Sequence, residues 1–340
     1  MKRITILLMT LMLAIMQMAA QDTSLKGTIT LSHQGKETAF GYNEMTKVMD
    51  AAVDGDTVFL SAGYFQGDFG ITKKLAFIGV GADDYNGNSS CSCYDGKIIV
   101  KLPEDTKLTA RLFNAISFYN NNDNTIAFNS AIDNVIFRKC KWYKGDFWIF
   151  RAEVKNLLVD RCYCAFWQYS HEKLTKLVVR NSNVSSCYFS NNGNPGSRIF
   201  YNCYIYAPNF GTGQDYTCNQ LAYTYINCII NNNKSYLAYP EQDSYTPILV
   251  NCLYQGNEKF DVAKNCTLQN CYTSEIYPGN LTKEDLLKNN YLGNDGTVVG
   301  CYGGKNPYTL DVMSSTIKNT IHLDKDKKQV QFNIKITEQQ

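Results

Sequence analysis

The chain has 340 residues, of which 19% are charged and 44% are hydrophobic, and its formal net charge at pH 7 is +2. This near-neutral balance argues against the broad basic face that nucleic-acid binding requires. Aromatic residues are abundant, with 24 Tyr and 17 Phe, which suits both sugar stacking and a β-rich core.

The first twenty residues, 1–20, predict a secretory signal peptide. Lys2 and Arg3 form a charged start, residues 4–18 are an apolar run, and two alanines precede a cleavage point at Gln21. The run is too short to favour a retained membrane span. We therefore expect an exported protein, located in the periplasm, on the cell surface or outside the cell, with no transmembrane segment after cleavage.

Residues 43–53 predict an amphipathic helix with Met45, Val48 and Met49 on its apolar side. Short apolar runs bounded by glycines follow it and predict strands. The stacked repeat that comes next would leave an unpaired rung at each end, so we expect the helix to cover the first rung.

The central part of the chain repeats a short phrase of two or three apolar residues, a polar residue that is often Asn, and then Cys. The phrases end at Cys140, Cys162, Ser182, Cys203, Cys228, Cys252 and Cys271, in steps of 22, 20, 21, 25, 24 and 19 residues. Self-similarity at a near-fixed period is typical of stacked repeats, in which each unit covers the apolar face of its neighbour. We therefore predict regular coils over about residues 135–275.

Two columns of like residues should run along this stack. The residue before the Cys lies at a sharp bend between two strands, where Asn tolerates left-handed backbone. These residues are Asn181, Asn202, Asn227, Asn251 and Asn270, and their amides are expected to form a ladder. The cysteines of the repeat, Cys140, Cys162, Cys203, Cys228, Cys252 and Cys271, should stack as small apolar side chains inside the coil.

Outside the repeat, Cys91 and Cys93 fall in a predicted loop and are expected to be the most reactive or oxidised of the 13 Cys.

A charged column lies beside the bend. Arg138, Asp160 and Arg180 alternate in sign on successive rungs and predict a surface ion ladder. Lys139 and Arg161 replace the Asn on the first two rungs. Like charges about 4.8 Å apart cost roughly 1 kcal/mol in water, which Asp160 or an anionic ligand would offset.

An apolar column lies four residues before the Cys, where strict alternation points side chains outward. We call it the apolar strip, and its residues are Ile136, Leu158, Val178, Ile199 and Ile248. Such a strip predicts something packed over it, either a C-terminal hairpin or a partner subunit. The alternative is a local departure from alternation at the bend.

The last part of the chain changes pattern. Residues 282–285 predict a capping box that opens a short helix to about Asn289. Residues 315–323 and 329–336 then alternate as two strands joined by a charged turn. We predict a C-terminal hairpin or cap over residues 305–340.

Several of these segments resemble a known family. Residues 52–65, Ala-Val-Asp-Gly-Asp-Thr-Val-Phe-Leu-Ser-Ala-Gly-Tyr-Phe, and residues 71–81 closely resemble the opening of pectin-lyase-like right-handed parallel β-helix proteins, and the Asn-Cys coils match the repeat of that superfamily. Residues 298–308 resemble the close of exported β-helix proteins from Bacteroidetes-type bacteria. The resemblance implies an all-β fold, a single-stranded right-handed parallel β-helix (solenoid) over residues 21–304, with an N-terminal capping helix and a C-terminal β-hairpin. It implies little about chemistry, because the superfamily includes lyases, hydrolases, adhesins and inert stalks.

The catalytic motifs of the superfamily's enzymes are absent, including the Gly-His-Gly of polygalacturonase-like hydrolases and the Arg-x-Pro-x-x-Arg run of calcium-dependent pectate lyases. Aligned coils instead place Arg151 and His171 on neighbouring rungs, with Glu153 and Glu172 close by. Such groups could grip an acidic sugar and abstract a proton, and the alternative is an ordinary solvated turn. Further candidates are Lys139 as a base and Trp148, Trp167, Tyr169 and Arg161 as ligand contacts.

Three functions fit this sequence: a polysaccharide-binding protein without efficient catalysis, a structural or adhesive surface protein that docks a protein partner through the apolar strip, and a divergent polysaccharide lyase acting on an acidic glycan. We favour binding, because an acid–base mechanism needs positioned titratable groups and the sequence offers few. No cofactor and no metal site are expected, and Ca²⁺ would matter only to a lyase. The expected partner is a polysaccharide or another glycan, not a nucleic acid.

Overall fold

The computed structural model describes residues 26–82, 91–103, 109–118, 126–142, 148–150, 152–166, 173–187, 196–206, 221–231, 246–255, 262–275, 281–308, 317–324 and 329–336. These residues form a parallel β-solenoid, in which strands from successive turns stack into long sheets. The predicted all-β parallel solenoid is confirmed. The predicted signal peptide lies outside the described residues.

The first sheet contains twelve strands. In chain order they are β1 (Thr28–His33), β2 (Lys36–Gly41), β3 (Thr57–Leu60), β6 (Ala76–Ile78), β9 (Thr109–Asn114), β12 (Ile132–Arg138), β15 (Val154–Asp160), β17 (Leu174–Arg180), β19 (Gly196–Tyr201), β21 (Leu221–Ile226), β23 (Ile248–Val250) and β25 (Thr267–Gln269). Strand β1 pairs antiparallel with β2 and β3, and from β3 onward each strand pairs parallel with the next. Parallel stacking therefore begins well before the regular Asn-Cys coils.

Two further sheets of parallel strands belong to the solenoid, and we call each of its turns a rung. The second sheet has ten strands: β4 (Gly63–Gln66), β7 (Ser92–Asp95), β10 (Ser117–Phe118), β13 (Lys141–Trp142), β16 (Tyr163–Phe166), β18 (Asn183–Cys187), β20 (Tyr204–Ile205), β22 (Ile229–Ile230), β24 (Leu253–Gln255) and β26 (Tyr272–Ser274). The third has four: β5 (Phe69–Ile71), β8 (Ile98–Val100), β11 (Ile126–Phe128) and β14 (Trp148–Phe150).

The interior of the solenoid is filled by columns of like residues, because in-register stacking places the same repeat position on every rung. Phe77, Phe113 and Phe137 follow one another with ring centroids 5.0 and 5.4 Å apart. Further along the same column, Phe200 and Tyr225 stack at 5.0 Å. Such contacts add about 0.5–1.5 kcal/mol each beyond the burial of apolar area.

The repeat cysteines occupy the buried position after the bend between the first and second sheets. Five of them are buried and Cys271 is half-buried. The thiol of Cys203 lies 3.2 Å from the carbonyl oxygen of Tyr201 and 3.5 Å from that of Val179 on the preceding rung. The Ser182 hydroxyl occupies the same place and donates to the carbonyl of Arg180 at 2.8 Å. The column therefore holds small side chains with one donor, which explains why Ser can replace Cys there.

Cys91 and Cys93 do not lie in an exposed loop. Both are fully buried, and Cys93 belongs to β7. Burial raises the pKa of the Cys93 thiol to about 12. The predicted exposed loop is therefore wrong. Burial raises the pKa of other thiols as well, including those of Cys228 and Cys252, so the prediction that Cys91 and Cys93 are the most reactive of the cysteines stays a prediction.

Three short helices accompany the described strands: α1 (Met45–Ala51), α2 (Val262–Asn265) and α3 (Lys283–Lys288). Helix α1 buries Met45, Val48 and Met49, as the pattern predicted, and packs against β1, β2 and β5. Helix α3 begins with the predicted capping box, in which Thr282 and Asp285 bond reciprocally. None of these helices has the length and apolar character that a membrane-spanning helix needs.

The C-terminal hairpin is confirmed as an antiparallel pair. Its strands are β27 (Ile317–Asp324) and β28 (Gln329–Ile336), and their register runs from Ile317 opposite Ile336 to Asp324 opposite Gln329. The observed first strand begins two residues later than predicted. Element boundaries are where sequence patterns are least informative.

Candidate functional site

The bend between the first and second sheets forms a column of left-handed residues. Asn181, Asn202, Asn227, Asn251 and Asn270 all have φ between 48° and 52°. On the two preceding rungs the same position is taken by Lys139, at φ 52°, and Arg161, at φ 58°. A left-handed conformation costs an ordinary L-residue roughly 1–2 kcal/mol, and Asn tolerates it best. Backbone hydrogen bonds between rungs hold the two basic residues there. The Lys139 amide donates to the backbone carbonyl oxygen of Asp160, and the Arg161 amide donates to that of Arg180.

A buried carboxylate lies next to these basic residues. Asp160 is only 3% exposed. Its Oδ2 accepts from Arg138 Nε at 3.0 Å and from Arg180 Nη2 at 3.1 Å, and its Oδ1 lies 3.0 Å from Arg180 Nε. The predicted ion ladder is therefore present, but its central member is buried rather than at the surface. The carboxylate fixes two guanidinium groups on opposite sides of its rung.

These residues line a cleft of about 450 Å³ that we call the basic cleft. Its lining residues are Arg138, Lys139, Asp160, Arg161, Val178, Arg180, Asn181, Tyr201, Asn202 and Asn306. Four cationic side chains minus one carboxylate give a net charge of +3, which exceeds the +2 of the whole chain. Guanidinium and ammonium groups bind carboxylates and sulfates strongly, the former often through two parallel hydrogen bonds.

An aromatic side chain completes the cleft. Tyr201 is 37% exposed and pairs in register with Arg180 on the neighbouring strand. A tyrosine ring with one exposed face can stack on the apolar face of a sugar while its hydroxyl stays in water. The cleft thus combines cationic side chains that can bind an acidic group with an aromatic surface on which a sugar ring can stack.

The C-terminal segment, which we define as residues 281–308, forms one wall of the cleft through Asn306. The amide of Asn202 donates to the carbonyl of Gly303 at 2.6 Å and to that of Cys301 at 3.4 Å. The amide of Asn251 donates to Asn294 Oδ1 at 2.9 Å, and the Asn294 backbone amide donates back at 3.1 Å. The bend asparagines therefore bind this segment, while the amide ladder along their column stays a prediction.

Of the residues predicted for the site, the structure brings two together. Lys139 and Arg161 both line the basic cleft. Glu153 lies elsewhere, because it is exposed and precedes β15 at the end opposite Arg161. Only the backbone of Trp148 is described, within β14. Outside the described residues lie Arg151, His171, Glu172, Trp167 and Tyr169.

The charged column was expected to be mainly a structural ladder, and two residues that line the cleft were not predicted from the sequence. Tyr201 continues the column of Arg138, Asp160 and Arg180, so an aromatic in that register was the available signal. Asn306 is separated by more than 100 residues from the other side chains of the cleft, and nothing in its own neighbourhood marks it.

Within the described ranges, no group of three or more His, Cys, Asp or Glu side chains could hold a metal ion. Comparison with protein-family models, with curated proteins and with solved structures found no match.

Proposed function

We propose that this protein is an exported, pectin-lyase-like right-handed β-helix protein that binds an acidic polysaccharide in the basic cleft. The resemblance of residues 52–65 and 71–81 to that superfamily supports the family, and the charged and apolar character of residues 1–20 supports export. The parallel solenoid is consistent with the fold of that superfamily. The Bacteroidetes-type origin rests on residues 298–308 alone.

The observation that carries the proposal is the excess of positive charge in the cleft. The lining carries four cationic side chains and one carboxylate, so an anionic ligand would lower the repulsion among the cations. The cations come from three successive rungs about 4.8 Å apart, along the solenoid axis. A polymer with an acidic group on each sugar unit matches such a row better than a single small anion does.

A lyase reaction is the second function that this cleft could support. Cations that hold a uronate carboxylate also make the proton on the adjacent carbon easier to remove. Lys139 lies in the cleft and is the described candidate for the base that removes this proton. Binding remains our first proposal, because positive charge and an aromatic surface are sufficient for it.

Affinity electrophoresis of residues 21–340 in gels containing acidic or neutral polysaccharides tests the proposal. We expect retardation by an acidic polysaccharide only, weakened by added salt because the ion pairs are screened. Arg161→Gln should weaken binding about tenfold or more, since a hydrogen bond to a charged group contributes about 1.5–3 kcal/mol. The control is Lys155→Gln, which removes an exposed lysine that pairs with Asp133 away from the cleft.

The outcomes separate the alternatives. Equal retardation by neutral and acidic polysaccharides, or an unchanged affinity of the Arg161→Gln variant, would contradict acidic-glycan binding in this cleft. Ultraviolet absorbance from unsaturated sugars, followed in the same samples, would show lyase activity. In that case Lys139→Ala should abolish turnover.

A further inference from the structure

The outer face of the first sheet carries the apolar strip in a partly exposed state. In-register pairing aligns Ile136, Leu158, Val178 and Ile199 on four successive rungs, and all four are half-buried. Two rungs further on, Ile248 continues the line and is 38% exposed. The predicted alternation therefore holds at the bend. The first three strip residues border a shallow groove of about 410 Å³.

The C-terminal hairpin has one apolar and one polar face. Its register and the two-residue alternation of strands assign each residue to a face. One face holds Ile317, Asn319, Ile321, Leu323, Val330, Phe332, Ile334 and Ile336. The other holds Lys318, Thr320, His322, Asp324, Gln329, Gln331, Asn333 and Lys335. A two-stranded hairpin is marginally stable in water by itself, so the apolar face needs a surface to pack on.

The chain leads from the basic cleft to this hairpin over a short distance. Asn306 lines the basic cleft, and Val178 lines both that cleft and the apolar groove. The eight residues 309–316 then precede the hairpin, and eight extended residues reach at most about 29 Å. The hairpin is therefore tethered within reach of the apolar strip.

The dimensions of the two surfaces agree. Strands of eight residues are about 26 Å long at 3.3 Å per residue. From Ile136 to Ile248 there are five steps between rungs, which amount to about 24 Å at 4.8 Å each. A hairpin laid along the solenoid axis would cover the whole strip.

We propose that the C-terminal hairpin folds back within its own chain and buries its apolar face against the apolar strip. The proposal explains two apolar surfaces with one contact, since the hairpin needs a support and the strip needs a cover. It does not depend on the glycan, because it concerns the sheet face beside the basic cleft. The competing occupants of the strip are a second copy of the chain and another protein.

Site-specific photo-crosslinking in the full chain tests which surface the hairpin contacts. A benzophenone-bearing residue in place of Phe332 should crosslink to β12, β15 or β17 of the same chain, in a product that migrates as a monomer. The same probe at Gln331, on the polar face, should leave those strands unlabelled. Crosslinks between two chains, crosslinks confined to other parts of the chain, or none from position 332 would overturn the proposal.

Limited proteolysis gives a second, independent measurement. Phe332→Asp places a charge on the apolar face and should raise the rate of cleavage within residues 317–336 about tenfold or more, because an undocked hairpin opens readily. Gln331→Asp should change that rate less than about twofold. Leu158→Asp on the strip should reproduce the effect of Phe332→Asp. Equal cleavage rates in Phe332→Asp and the unmodified chain would reject the docked arrangement.

Discussion

Replacing Asp160 by Asn tests whether the buried carboxylate holds the basic cleft together. The substitution keeps the size of the side chain but removes its charge, and it leaves Arg138 and Arg180 without their shared partner. Breaking a buried ion pair from one side typically costs 3–5 kcal/mol. The guanidinium side chains here are 29% and 43% exposed, so water can partly replace the carboxylate. We therefore expect a loss of about 2–3 kcal/mol in the free energy of unfolding.

The measurement is urea denaturation of the unmodified chain and of Asp160→Asn, followed by circular dichroism. Asp133→Asn is the matched control, because Asp133 forms an exposed ion pair with Lys155 in the same sheet. Exposed pairs of this kind contribute about 0–1 kcal/mol, so the control should lose less than 1 kcal/mol. A loss for Asp160→Asn no larger than that for Asp133→Asn would refute the idea that burial of this carboxylate organises the cleft.

Two further predictions concern other contacts of the fold. Gly304→Ala should lower the free energy of unfolding by about 1–3 kcal/mol, because Gly304 has φ +75° and an added Cβ would lie 2.2 Å from Asn227 Nδ2. Urea denaturation and hydrogen exchange over residues 291–308 would measure this loss. Burial alone would raise the pKa of Asp56, but the backbone amide of Val53 and the ring of His33 outweigh it and hold that pKa below its usual value. The carboxylate therefore stabilises the fold above the unfolded-state pKa of about 4, and this stability is lost as the pH falls through the lower folded-state value. Denaturation curves should accordingly show the advantage over Asp56→Asn shrinking below about pH 4, and a constant difference would contradict the assignment.

Most of the solenoid follows from local rules that the sequence displays directly. The bend at Asn202 is predictable because Asn tolerates a left-handed conformation, and its position one residue before Cys203 recurs on later rungs. Alternation then assigns Phe200 to the interior and Ile199 to the outer face, as the structure has them. Each of these inferences needs only neighbouring residues and a fixed period.

The basic cleft could not be predicted from any single repeat, because its walls come from distant parts of the chain. The wall formed by Asn306 depends on how the C-terminal segment packs across the second sheet, where it buries Val299 and Cys301 with Ile229 and Leu253. That packing is governed by contacts between residues far apart in the chain, and no local pattern encodes them. The burial of Asp160 was missed for a related reason, since its two partners lie on the rungs before and after it.

The preference of the bend for Asn does not hold on two rungs that line the basic cleft, which supports the proposed binding site. Stability alone would favour Asn at the bend, and Asn occupies it from Asn181 onward. Lys139 and Arg161 instead place two like charges in a left-handed conformation on adjacent rungs. The conformation costs roughly 1–2 kcal/mol for each residue, and the repulsion costs roughly 1 kcal/mol. The ion pairs of Asp160 with Arg138 and Arg180 account for the alternating charges of the column beside the bend. Departures from a fold's local preferences tend to mark functional sites, and here the departure adds positive charge to a cleft that already has an excess of it. An anionic ligand is the partner that this arrangement favours.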